Sequence, residues 1–352
     1  MSTSIKSTAL EPDPLQPGEG SLLGNLGRYL PVYGLPILTL ALILVFSIIL
    51  PDTFPTLLNL RSILSDKSVI AILALAAMVP MLTGKIDLTV GYGIVLWHIL
   101  AISLQVQFNF PWPVAVAMVL LAGMLFGLLN GMLVEMARID SFIATLGTGT
   151  VIYAVALWYT GGRQVIGAVD PDFYAISSSF WFGLPAPAFY VIGLSIVLWV
   201  LSEYMPVGRA LYAIGANPRA ADLNGIPSRK YVMGAFVTSG LLTALAGVIL
   251  AAKLRIGQAS VGLEYLLPAL VGAFLGSTTI RPGRVNVWGT LVGVTILAVG
   301  ISGIQQLGGA FYIEPLFNGV TLLVAIGIAG YAQRKRGRLK KLSAGEAAKP
   351  QT

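Results

Sequence analysis

Long apolar runs broken by short clusters of Pro, Gly and charge dominate this chain, and their spacing predicts about ten membrane spans. The first half carries runs near Val32–Leu50, Val69–Leu82, Val90–Leu104, Val114–Val134 and Phe142–Tyr159; the second carries Ala188–Leu201, Val232–Ala252, Leu266–Phe274, Val287–Ile304 and Pro315–Tyr331. The run at Leu266 is short and Gly-rich, so it is expected to be tilted, broken or only partly inserted. The pattern therefore reads as an all-α polytopic membrane protein with some broken or re-entrant helices. A tail over residues 1–30, rich in Pro, Gly, Ser and acidic residues, is expected to be disordered. A permease-like body follows over residues 31–332, and a basic tail over 333–352. The first apolar run is too long for a signal h-region and has no small-residue cleavage site after it, so it is read as an anchor.

Composition agrees with the pattern. Hydrophobic residues make up 56% of the 352 and charged residues 11%, against roughly 25% charged in soluble domains, and mean hydropathy is +0.83. Basic residues orient the spans: with ten spans and both termini in the cytoplasm, only Arg61, Lys67, Arg163, Lys253 and Arg255 of the 22 Lys and Arg fall outside. The same bias explains a pI near 9.6 without nucleic acid, because a basic tail after a span meets anionic membrane lipid.

The most polar insert is Met205–Lys230. Asn217 can cap a helix that starts at Pro218, and Gly225 can close it in the left-handed conformation. Between two spans, on the cytoplasmic side, such a helix is a docking surface or a capped connector.

Few residues offer chemistry. With no cysteine and one histidine, His98, thiolate and histidine metal clusters are excluded, and no catalytic triad can be built. His98 reads as a packed or hydrogen-bonded span residue. The single Gly-Lys pair, Gly84-Lys85, is followed by Ile86 and has Val79 where a phosphate loop needs its first glycine. No cofactor is expected in this chain.

Gly84–Gly93 places Lys85 and Asp87 near membrane depth, either at a gate or in a tight turn where they meet water or each other. Gly123, Gly127 and Gly131 recur every fourth residue and make one smooth helix face for close packing. Asn130 beside them can join a polar path or an interhelical hydrogen bond. In the loop Thr160–Pro187, Phe173, Tyr174, Phe180, Trp181 and Phe182 can receive an external partner or form an interfacial belt. Gln305, Gln306, Glu314 and Asn318 are polar positions for a hydroxyl-rich solute, or solvated loop residues.

Three stretches resemble the permease subunits of bacterial ABC importers for monosaccharides such as ribose, xylose, arabinose and galactose: Gly84–Gly91; Asn130-Gly131 with Ser141–Thr148; and Gly208–Ile226, especially Tyr212–Asn217. Lys85 departs from that family's usual second glycine. The run Ala273–Arg284 departs from its Gly-Gly-Thr-Ser pattern, which points to a solute outside the common pentoses and hexoses.

The resemblance implies an inner-membrane permease that is not an enzyme, paired with a second permease copy. A separate ABC ATPase would bind ATP and magnesium, and a periplasmic or extracellular solute-binding protein would deliver solute. It assigns ATPase coupling to Gly208, Arg209, Gly215, Asn217, Pro218, Ala220, Ala221 and Gly225, and a translocation path or gate to Lys85, Asp87, Asn130 and Thr145. A branched-chain amino-acid permease of related architecture is the nearest alternative. An ion-coupled transporter acting alone is the next, disfavoured because acidic residues other than Asp87 are scarce within the predicted spans.

Overall fold

The protein was analysed as a computed structural model that describes residues 22–310 and 312–324. In chain order its helices are α1 (Leu22–Ile49), α2 (Leu57–Met81), α3 (Thr89–Val106), α4 (Trp112–Glu135), α5 (Ser141–Thr160), α6 (Pro171–Ser178), α7 (Ala186–Glu203), α8 (Pro206–Ala216), α9 (Pro218–Leu223), α10 (Ser228–Leu254), α11 (Leu266–Leu275), α12 (Val287–Gln306) and α13 (Ile313–Val324). Eight of these are long and apolar enough to cross a membrane, with α11 and α13 shorter. Each predicted apolar run lies in a helix, the last being described only as far as Val324.

Four helices form the centre. α2, α3, α10 and α12 are largely apolar and largely buried, whereas α1 and α4 are mostly unburied. A helix apolar all round belongs inside a bundle or against lipid, and side-chain size decides between the two. From Ser68 to Pro80 every residue of α2 is buried, and Ala71, Ala74, Ala76 and Ala77 allow neighbours to come close. On the outer helices Leu44, Ile48, Leu125, Val151 and Trp158 face outward.

In hydrocarbon, apolar area gives little drive for helix association, so close packing has to supply it. The glycines of α4 do this against α10. A Cβ on Gly123 would sit 2.6 Å from the Gly240 carbonyl oxygen, one on Gly127 2.2 Å from that of Phe236, and one on Gly131 2.9 Å from Met233 Cα. Gly240 returns the contact, 2.2 Å from the Gly123 carbonyl oxygen.

α11 has ten residues, or about 15 Å against a hydrocarbon core of roughly 30 Å. Exposed ends there would leave backbone groups unpaired in lipid, which is tolerated only inside protein. Accordingly Ala269, Val271 and Ala273 are fully buried, and Gly272 and Gly293 bring α11 and α12 into backbone contact.

The structure corrects several boundaries. The predicted disordered tail reached residue 30, but α1 begins at Leu22; residues 1–21 and the predicted basic tail over 333–352 lie outside the described residues. The second span was expected at Val69 and begins at Leu57. Charges at Asp66 and Lys67 read as loop because an unpaired charge is costly in a span. In the fold they are paired, Lys253 Nζ lying 2.6 Å from Asp66 Oδ1 and Lys67 Nζ 3.3 Å from Glu314 Oε1.

The loop after α5 also has structure. Asp170 caps α6, and Phe180–Trp181 pairs with Leu184–Pro185 in a short hairpin. Its turn residues Phe182 and Gly183 both have positive φ, the geometry that matches strand twist. Phe173 is buried, whereas Phe180, Trp181 and Phe182 are exposed.

Replacing Gly127 by Leu forces α4 off α10 and is expected to cost at least ~1–3 kcal/mol, the usual price of overpacking, seen as a lower Tm of the purified protein. Gly147→Ala, with nothing within 4 Å of its added Cβ, is the matched control; equal Tm values for the two would show that the α4 face is not close-packed.

Candidate functional site

The link from α2 to α3, residues 82–88, is where the polar groups of the bundle converge. Pro80 cannot continue the backbone ladder, and Gly84 takes φ +77°, a conformation in which a side chain would be strained. Asp87 is turned inward and is 1% exposed. Its Oδ1 accepts the Thr89 backbone N–H at 2.9 Å and the Thr89 hydroxyl, and its Oδ2 accepts the Ser239 hydroxyl from α10 at 2.7 Å. Burial opposes a carboxylate's charge, and these three donors offset part of that cost.

The network continues outward. Asn130 on α4, fully buried, donates to Thr89 Oγ1 at 3.3 Å and accepts from the Thr148 hydroxyl on α5 at 2.7 Å. Thr145 donates to the Ser141 carbonyl at 2.7 Å while its oxygen accepts the Leu88 N–H at 3.1 Å, and Ser141 Oγ accepts the Ile86 N–H at 3.2 Å. Asp87, Asn130 and Thr145 thus form one knot among α3, α4, α5 and α10. Lys85 stands apart from it. The cation points to Glu135 at the end of α4, 3.7 Å away, so Lys85 and Asp87 neither pair with each other nor share an environment.

The polar insert lies directly beside this link. Asn217 caps α9 by accepting the Ala220 N–H at 3.1 Å, and Gly225 has φ +78°. Upstream of it α8 is also helical, which polar composition had hidden. Gly208 is pressed on the end of α7, where a Cβ would lie 2.0 Å from the Ser202 carbonyl oxygen. At the other end of α8, a Cβ on Gly215 would lie 2.2 Å from the Leu82 carbonyl oxygen and 3.4 Å from Gly84 N. Arg209, Asn217, Pro218 and Ala220 are exposed, and Ala221 packs inward. Leu223, which the sequence reading passed over, is 89% exposed. A leucine in a six-residue polar helix was the available signal.

Tyr212 fastens α8 to the segment before α12. Its hydroxyl is 3.0 Å from the Val285 carbonyl oxygen and 3.3 Å from Glu203 Oε1, and the Arg284 guanidinium lies 3.3 Å from its ring centroid. Burial, followed by the Glu203 charge, pushes its phenol up to about 12, so it stays a protonated donor. Glu203 also pairs with Arg281.

At the opposite end of α2 a second polar group gathers. Gln306 Nε2 donates to Asn59 Oδ1 at 2.8 Å, and Gln305 Nε2 to Glu314 Oε2 at 3.1 Å. Arg61 donates to the Gly183 carbonyl of the hairpin at 2.8 Å. His98 is buried and links α3 to the segment after α10, its Nδ1 lying 3.1 Å from the Ile94 carbonyl oxygen and its Nε2 accepting the Gln258 N–H at 3.1 Å. Among the described residues no group of three or more His, Cys, Asp or Glu is placed to hold a metal.

Comparison with known proteins bears on this arrangement. Residues 59–329 match the family described as branched-chain amino acid transport system / permease component. The ribose import permease protein RbsC of Haemophilus influenzae is 32% identical over 89% of this chain and 97% of its own length, and that of Bacillus subtilis is 32% identical over 83% and 90%. The D-allose transport system permease protein AlsC of Escherichia coli is 26% identical over 93% and 97%. No solved structure matches the chain.

The knot and the Lys85–Glu135 pair are expected to respond differently to mutation. Asp87→Leu strands three donors at ~1–3 kcal/mol each and should lower the Tm sharply, whereas Lys85→Gly removes a part-exposed pair worth about 0–1 kcal/mol. Equal thermal shifts would show that Asp87 is not the acceptor that holds the link.

Proposed function

The chain belongs to the branched-chain amino acid transport system / permease component family, and from that membership we propose that it carries a monosaccharide or related polyol inward, driven by a separate ATPase. It is a multi-pass transport permease of the inner membrane and not an enzyme. An importer of this kind works with an ATPase subunit and a solute-binding protein. The observation that supports sugar over amino acid is the run of ribose and allose permeases similar to this chain nearly end to end. The family description favours a branched-chain amino acid as the second reading.

Both termini lie in the cytoplasm in this reading, as does α8–α9. The basic-residue count supports it, since only Arg61, Lys67, Arg163, Lys253 and Arg255 of the 22 Lys and Arg fall on the outer side. A second permease copy completes the path against the outward apolar faces, and the partner ATPase holds ATP and magnesium.

Coupling then has a short mechanical route. α9 offers Leu223 as an apolar knob on a helix stiffened by Asn217 and Pro218, with Ala220 and Ala221 on its two faces. Movement of α9 passes through Gly215 to Leu82 and Gly84, and from there to the link that carries Asp87. Gly208 and Arg209 form the start of the same lever, and Gly225 its far hinge. Lys85, Asp87, Asn130 and Thr145 serve as the gate-side end of the route, where rigid-body motion shifts helix positions.

Two experiments test this reading. Proteoliposomes holding the permease and its ATPase, supplied with the binding protein, should take up D-ribose, D-allose or a pentitol and not leucine; ion-driven uptake by this chain alone would sink it. Leu223→Asp should leave the Tm unchanged, and Asn217→Ala with Gly225→Val, which removes a cap and strains a positive φ, should leave membrane insertion intact; each should lower solute-stimulated ATP hydrolysis about tenfold, as for a lost docking hot spot. Full stimulation in both would show α9 to be a connector.

A further inference from the structure

At the end of the molecule away from α8–α9, the end of α12, Gly309–Ala310 and the start of α13 border a partly open cavity of about 260 Å³, whose walls include Ile304, Gln305, Glu314 and Phe317. That is just below the ~300–1,000 Å³ of ligand pockets, room for one sugar ring and not for a chain of them. Its lining is mixed in a particular way. Phe317 supplies an aromatic surface of the kind that accepts the C–H face of a ring, and Glu314 and Gln305 supply polar atoms for its hydroxyl edge.

The polar groups are held in place. Lys67 approaches Glu314 Oε1 at 3.3 Å, and Gln305 Nε2 donates to Oε2 at 3.1 Å. A carboxylate has about four acceptor positions, so each oxygen keeps one for a hydroxyl donor. Gln305, fixed through its nitrogen, has its amide oxygen left over.

We infer that this cavity is a subsite for a single monosaccharide or polyol on the delivery side of the membrane, with Glu314 and Gln305 binding hydroxyls and Phe317 stacking on the ring. The inference rests on the sugar-import reading.

The absence of cysteine from the chain permits a direct test in the assembled permease–ATPase complex. Ala310→Cys places one thiol on the cavity wall, and Leu307→Cys places one on an exposed position outside it. With D-ribose, D-allose or xylitol at about twice its dissociation constant, modification of the first by a membrane-impermeant methanethiosulfonate should slow about threefold, by mass action. The second should be unaffected, leucine should protect neither, and adding Phe317→Ala or Glu314→Gln should abolish the protection. An unprotected Ala310→Cys in a preparation that imports one of these sugars would overturn the subsite alone. Equal protection of both thiols, or protection that survives Phe317→Ala and Glu314→Gln, would overturn it as well. Import of leucine and of no sugar would overturn the import reading together with the subsite.

Discussion

A carboxylate withdrawn from water has to be met by donors, and the half of this bundle next to α8–α9 is arranged around that requirement at Asp87. One donor comes from α10 through Ser239 and two from the first residue of α3, while Asn130 carries the network on to α4 and α5. If any of these helices turned or slid by a fraction of a turn, a polar group would be left unpaired where no water replaces it. The knot therefore sets the register of four helices. The glycine face of α4 does the complementary work, bringing the backbone of α4, which carries Asn130, into contact with that of α10, which carries Ser239.

The two ends of α2, about 37 Å apart for 25 residues, are organised for different tasks. One ends in the link that touches Gly215 and carries Asp87. The other holds its charges in pairs and borders a cavity with an aromatic ring and a carboxylate. Between them α2 is buried from Ser68 to Pro80 among small and aliphatic side chains, and a close-packed stretch of that kind transmits displacement better than it absorbs it.

Much of the fold was legible in the chain because membrane burial imposes long apolar runs. What it hid follows from pairing. Asp66 and Lys67 looked like loop residues because their partners, Lys253 and Glu314, are more than 180 positions away. α8 looked like connector because its buried side, Gly208, Ala210, Leu211 and Ile214, is short and is met partly by the end of α7 and partly by segments far along the chain. The αL and capping roles of Gly225 and Asn217 were readable because they are local: backbone conformation and a hydrogen bond across three residues need no tertiary partner.

By itself, then, the sequence determined the class of protein, the place of nearly every span, the capped helix at Pro218 and the mismatch of Gly84-Lys85 to a phosphate loop, since each depends on composition or on residues within a turn or two of one another. Tertiary structure alone decided that Lys85 and Asp87 part company, that Gly215 bears on Leu82, and that Gln305 and Glu314 face one cavity. Those outcomes rest on contacts between distant segments, where the free energy of a polar atom is set by whatever the fold brings within about 3 Å of it.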